Sequence, residues 1–138
     1  MSGVTEFGPS GNSQAFIEAG YKTSEQSAAW VKNMGLDCFE YSFGRGVSLT
    51  DERAAAIGAA FKAAGVEISV HAPYHVNFAN PDDELAAKSV KYVIDSAKKA
   101  VIMGGRRVVF HPASQGKAER CAAVALTKER LLKLTEAI

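Results

Sequence analysis

The sequence predicts an α/β protein built from four consecutive β/α units, and three observations carry the prediction. Short apolar, β-branched strings recur behind glycines: "GLDCFEY" from Gly35, "GVEISVH" from Gly65 and "GRRVVFH" from Gly105. Each string follows a segment whose apolar residues recur at helical spacing. Strand and helix alternate throughout, the pattern of parallel strands joined by right-handed crossovers.

The first strand is expected near "VTEFG", residues 4–8. In "TSEQSAAWVKNMG" a helix opens with Thr23 and Gln26 as a capping box and turns Trp30, Val31 and Met34 inward. The second strand follows Gly35, and its sixth residue, Tyr41, aligns with His71 and His111 when the glycines serve as rulers. In "SLTDERAAAIGAAFKAAG" the residues Ala54, Ile57, Phe61 and Ala64 recur at three and four residues, one face of a helix. "NPDDELAAKSVKYVIDSAKKAVIMGG" places Asn80 as the cap, Pro81 at the first helical position and acidic side chains in the first turn. Its expected buried stripe is Ala86, Val90, Val93, Ala97 and Val101. Glycines 35, 65 and 104–105 act as helix stops. A last helix runs from about Lys117 and carries Cys121, Val124, Leu131, Leu134 and Ile138.

Composition bounds the function. A chain of 138 residues, 47% hydrophobic, suits a single domain over residues 1–138. Sixteen Lys and Arg against fifteen Asp and Glu give a net charge of +1, not the basic excess that by itself announces nucleic-acid binding. A local basic surface is compatible with a neutral total. Cys38 and Cys121 match no metal or redox spacing, so a reduced, cytoplasmic protein with buried thiols is expected. No segment reaches the roughly 18 to 20 apolar residues of a membrane span, and no membrane partner is expected.

The chemistry is concentrated at two strand ends. Side chains alternate along a strand, so His71 shares a face with Ser69 and Glu67, and His111 with Val109 and Arg107. The opposite faces carry Ile68 with Val70, and Val108 with Phe110, which overlying helices require. Both histidines therefore point away from the helices, at the carboxyl ends of adjacent strands, where α/β sheets collect ligands and catalytic groups. A lone histidine there can simply cap a strand; two at matching places favour a shared ligand.

"SVHAPYHVNFANP" and "RVVFHPAS", behind "FGPSGN" and "FEYSFGRGV", resemble endonuclease IV-like proteins, part of the xylose-isomerase-like group of TIM barrels. That family has a His-x-x-Tyr-x-x-Asn segment at the third strand, here His71, Tyr74 and Asn77. It also has a Phe-His-Pro string ending the fourth, here Phe110, His111 and Pro112. The resemblance implies half of a TIM (β/α)8 barrel. It also implies a zinc-dependent endonuclease that cuts DNA beside an abasic site, His71 and His111 being zinc ligands and zinc-bound hydroxide attacking the phosphate. Tyr74 falls where the family has a loop tyrosine that helps open the duplex, and Arg45 in a loop that approaches DNA.

The departures bear on activity. The carboxylates and histidines that complete the family's metal cluster come from strands five to eight, and two imidazoles alone do not fill a tetrahedral shell. Asp37 and Glu67 are expected at the wrong ends of their strands, and Glu40 one residue off the histidine layer. "GPSGN" lacks the lysine of a phosphate-binding loop. Alternatives are a metal-dependent sugar isomerase or epimerase, and a non-catalytic half-barrel that assembles with others. Open edges at strands one and four, and a concave face with Phe39, Val109 and Phe7, call for a homodimer or a C-terminal half.

Overall fold

The computed structural model describes residues 5–137, without the side chain of Ala137. Its elements run α1 (Gln14–Glu18), α2 (Ser24–Asn33), β1 (Cys38–Ser42), α3 (Asp51–Ala64), β2 (Glu67–His71), α4 (Asp83–Ile102), β3 (Val108–Val109) and α5 (Arg120–Ala137). The three strands form a parallel sheet in the order β1-β2-β3, a partial TIM barrel.

The opening strand is displaced and irregular. Val4 lies outside the described residues, and residues 7–11 instead run along the free edge of β1. Asp37 N–H donates to the Phe7 carbonyl (2.9 Å), Glu40 N–H to that of Pro9 (3.0 Å), and Gly11 N–H to that of Glu40 (2.9 Å). These are parallel-ladder bonds, but Pro9 has no N–H to give, and only the pair Ser10 and Glu40 makes a regular bridge. Gly8 is pressed so close to β1 that a Cβ there would stand 1.6 Å from the Cys38 carbonyl oxygen. The short helix α1, capped by Ser13, then fills the connection to α2.

Helix ends follow local chemistry. Gln26 Oε1 accepts from the N–H groups of Lys22 (2.8 Å) and Thr23 (3.0 Å), the reach-back half of the expected box. Thr50 caps α3 through Arg53 N–H, and Gly65 ends it in the left-handed region at φ 63°. The α4 cap differs from the expectation. Asp82 accepts from Glu84 and Leu85, while Asn80 accepts from Asp82 N–H, so Pro81 stands in an Asx turn before the helix.

The main core lies between the sheet and α3–α4, around Phe39, Ile57, Phe61, Ile68 and Val70. Phe39 stacks on Phe61 at 5.1 Å, so it belongs to the helix side rather than the concave face. A second cluster joins Val76, Phe78, Val93 and Leu134. Met34, Val101 and Val124 are exposed instead of inward. The buried stripe of α4 is Ala86, Ser89, Val93, Ser96 and Ala100. Ser89 and Ser96 are tolerated there because their hydroxyls donate to the carbonyls of Leu85 and Tyr92 one turn back. Neither thiol is fully buried: Cys38 is half-buried and Cys121 exposed. Ile138 lies outside the described residues. Among those described, no helix is long and apolar enough to cross a membrane.

Candidate functional site

The register corrects the glycine alignment. His71 pairs with Ser42, not Tyr41, and with Val109 rather than His111. The chain from Gly35 to the sheet is one residue longer than that from Gly65, which turns Tyr41 to the helix side, opposite Val70. The offset at β3 is two residues, so His111 keeps the face of His71 but lies further along the strand direction. Glu40 pairs with Ser69, so it stays off the histidine layer, but by two residues rather than one, and therefore shares the inner face with Ser42 and His71.

Both imidazoles meet at the carboxyl end of the sheet, with ring centroids 5.1 Å apart. His71 is half-buried and His111 exposed. His71 Nδ1 lies 2.7 Å from the Ala72 carbonyl. A carbonyl only accepts, so Nδ1 carries the hydrogen, and in the neutral ring the lone pair is on Nε2. That neutral tautomer would leave Nε2 able to take a metal while the other nitrogen is anchored to a backbone oxygen. The donor set fits part of a zinc site and no more. Among the described residues no group of three or more His, Cys, Asp or Glu is placed to hold a metal ion. Glu40 is engaged by the Ser10 hydroxyl at 2.6 Å. Glu67 and Arg107 lie toward the other end of the sheet, 3.6 Å apart and well exposed.

Backbone bonds draw the three loops at this end together. Phe43 N–H donates to the His71 carbonyl (3.0 Å), and Tyr74 N–H to that of Gly44 (3.2 Å). Tyr74, 61% exposed, is thereby joined to the loop that carries the exposed Arg45. Phe78 N–H donates to the Pro112 carbonyl (2.8 Å), just beyond His111. All four residues singled out in the sequence thus stand at one end of the sheet.

Two further participants emerge: Asn77, present in the motif but given no role there, and Arg130, which the sequence reading missed. Asn77 Oδ1 accepts from Ala79 N–H (3.1 Å) and from Ser114 N–H (3.0 Å). Arg130 of α5, 9% exposed, donates to the carbonyls of Phe78 and Asn80 (2.6 Å each) and to the Asp83 carboxylate (2.8 Å). A signal for Arg130 existed: it falls on the stripe Ala123, Thr127, Arg130, Leu134, at helical spacing on the inward face.

An open parallel sheet with helices on one face and two imidazoles at its carboxyl end has the architecture of part of a TIM barrel, a fold whose ligands gather at that end. Residues 28–138 match the family of xylose isomerase-like TIM barrels, and the chain belongs to that family. Among solved structures, D-psicose 3-epimerase from Clostridium cellulolyticum is similar at TM-score 0.70 and 13% identity, over 84% of this chain and 43% of that one. An L-ribulose 3-epimerase gives 0.67 at 20%, over 82% and 39%. Endonuclease IV from Thermus thermophilus gives 0.57 at 27%, over 78% and 42%. A search of curated protein sequences finds no match. The chain spans about two fifths of the length of the barrels it matches.

Proposed function

We propose that the chain is the N-terminal half of an endonuclease IV-like, zinc-dependent abasic-site DNA endonuclease, inactive by itself. The observation that carries this reading is the His71–His111 pair, at 5.1 Å, supplied by the His-x-x-Tyr-x-x-Asn and Phe-His-Pro segments. The 27% identity to a solved endonuclease IV supports it as well. When bound, zinc would supply an activated water and charge stabilisation at phosphorus. The chain's own part is to present two neutral imidazole nitrogens, to hold Tyr74 at the rim where a base step could be wedged, and to offer Arg45 to the phosphate backbone. The remaining ligands, and the closure of the sheet, would come from further β/α units or a second copy. The free cysteines suit a cytoplasmic setting.

The second reading, a sugar epimerase-like barrel, is favoured by the higher TM-scores of the epimerases, at identities of 13–20%. Zinc titration by calorimetry, with amide-resolved NMR, separates the two. Zinc is expected to bind with micromolar or weaker affinity, and not at all to the His71→Ala, His111→Ala double variant. An abasic-site duplex should then shift the amides of residues 44–46 and 74–78 in a salt-sensitive way, while a ketohexose leaves them unmoved. Equal zinc binding by both proteins would refute the metal role, and shifts with the ketohexose alone would favour the sugar reading.

A further inference from the structure

We propose that Asn77 is a positioning residue for the His71–His111 pair, a staple between the loops that follow β2 and β3. The inference rests on the reading of those histidines as metal ligands. The problem that the staple solves is visible in the sheet. Strand β3 is two residues long, Val108–Val109, and the last backbone ladder bond to it is from Ala72 N–H to the Val109 carbonyl, at 2.9 Å. His111 stands two residues beyond that bond, and it is exposed. The ladder therefore ends before the residue whose position matters.

Two bonds take over past His111, and both come from residues 77 and 78. Phe78 N–H donates to the Pro112 carbonyl at 2.8 Å, and Ser114 N–H donates to Asn77 Oδ1 at 3.0 Å. They bracket Ala113 and fix the backbone leaving His111. The same Asn77 oxygen takes Ala79 N–H at 3.1 Å, using both of its lone pairs. Asn77 N–H in turn donates to Ser89 Oγ at 3.0 Å, and the Ser89 hydroxyl donates to the Leu85 carbonyl at 3.1 Å. The staple is thus anchored in the first turns of α4 at one end and grips the β3 loop at the other. His71 is held independently, by its place in β2 and by its Nδ1 bond to Ala72. What Asn77 determines is where the second imidazole sits relative to the first.

The chemistry of the side chain makes the test selective. An acceptor oxygen one carbon from Cβ is needed, and aspartate supplies it where alanine does not. Asn77→Ala is expected to weaken zinc binding about tenfold or more, the range for losing a residue that orients a ligand. It should also abolish the ring–ring NOE between His71 and His111, while NOEs between Phe39 and Phe61 in the distant core persist. Asn77→Asp is expected to keep both the NOE and the affinity within about threefold. Should Asn77→Ala fail to fold, Ser114→Pro removes the one donor from the β3 loop and carries the same expectation. Retention of the ring NOE and of zinc affinity in Asn77→Ala, or in Ser114→Pro, would overturn the proposal. If the wild-type chain binds no zinc, the metal reading fails, and the ring NOE alone decides the staple.

Discussion

The two faces of this sheet use the same three strands for opposite purposes. On the helix side Phe39, Ile68 and Val70 are buried against α3 and α4, with Phe39 stacked on Phe61. On the inner side Glu40, Ser42, Ser69 and His71 stand half-buried or exposed, and Val109 is 43% exposed. Alternation along a strand makes the division unavoidable, since each residue moved by one position changes sides. Burial is concentrated on one face and polar, titratable side chains on the other, so substitutions on the two should separate cleanly.

The largest effect is expected from Phe61→Ala. It removes a fully buried ring from the helix-side core and should cost about 3–5 kcal/mol in urea unfolding. His71→Ala with His111→Ala should cost less than about 1 kcal/mol by the same measure, as changes away from the core usually do. Comparable losses from the two would break the contrast between the faces.

A smaller effect tests how tightly the helix side is closed. Gly58 of α3 faces the end of α4, where an added Cβ would stand 2.5 Å from the Met103 carbonyl oxygen and 2.7 Å from its Cα. Gly58→Ala gains in helix propensity, yet the overpacking should win, with a net loss of about 1–3 kcal/mol. An unchanged midpoint would mean that α3 and α4 have room to part.

The smallest effect sharpens the picture of the inner face, which is not wet throughout. Cys38 points to that side but lies beneath the segment at Gly8. Burial, reinforced by the charges of Glu6 and Asp37, pushes its thiol above the ordinary value. In the folded protein Cys38 should react with a thiol reagent near pH 8 more slowly than it does in the denatured chain. Its folded-state rate should keep climbing above the ordinary thiol range. Because the neutral thiol is favoured by the fold, its contribution to stability is present at neutral pH and fades as pH rises through the folded-state value. A folded-state rate equal to the denatured one would show that the edge segment does not cover β1.

Most of the architecture was legible because it rests on short-range rules. The helix stop at Gly65, the Gln26 reach-back and the stripe Ala54–Ile57–Phe61 are each decided within a few residues. The register was not. Gly35 and Gly65 look equivalent, but the chains leaving them differ by one residue in reaching the sheet, which exchanged Tyr41 for Ser42 beside His71 and moved Phe39 to the core. At α4 the choice between Asn80 and Asp82 as cap turned on an Asx turn around Pro81, which propensity alone does not resolve. His71 and His111 were placed correctly on one face because an offset of two residues preserves it. Asn77 and Arg130 could be noticed, but their partners lie 37 and up to 52 residues away and follow only from the fold.

The grip of Arg130 on the loop before α4 has a consequence in time. Its three partners, Phe78, Asn80 and Asp83, precede it by 52, 50 and 47 residues. On a ribosome adding about 5–20 residues per second, the loop bearing Tyr74 emerges several seconds before the guanidinium that ties it down. The sheet and the helices over it have all their parts before then; the rim of the site does not. The rim around the two histidines is therefore secured late, and any nascent chain stopped short of Arg130 lacks the guanidinium that ties this rim to α5.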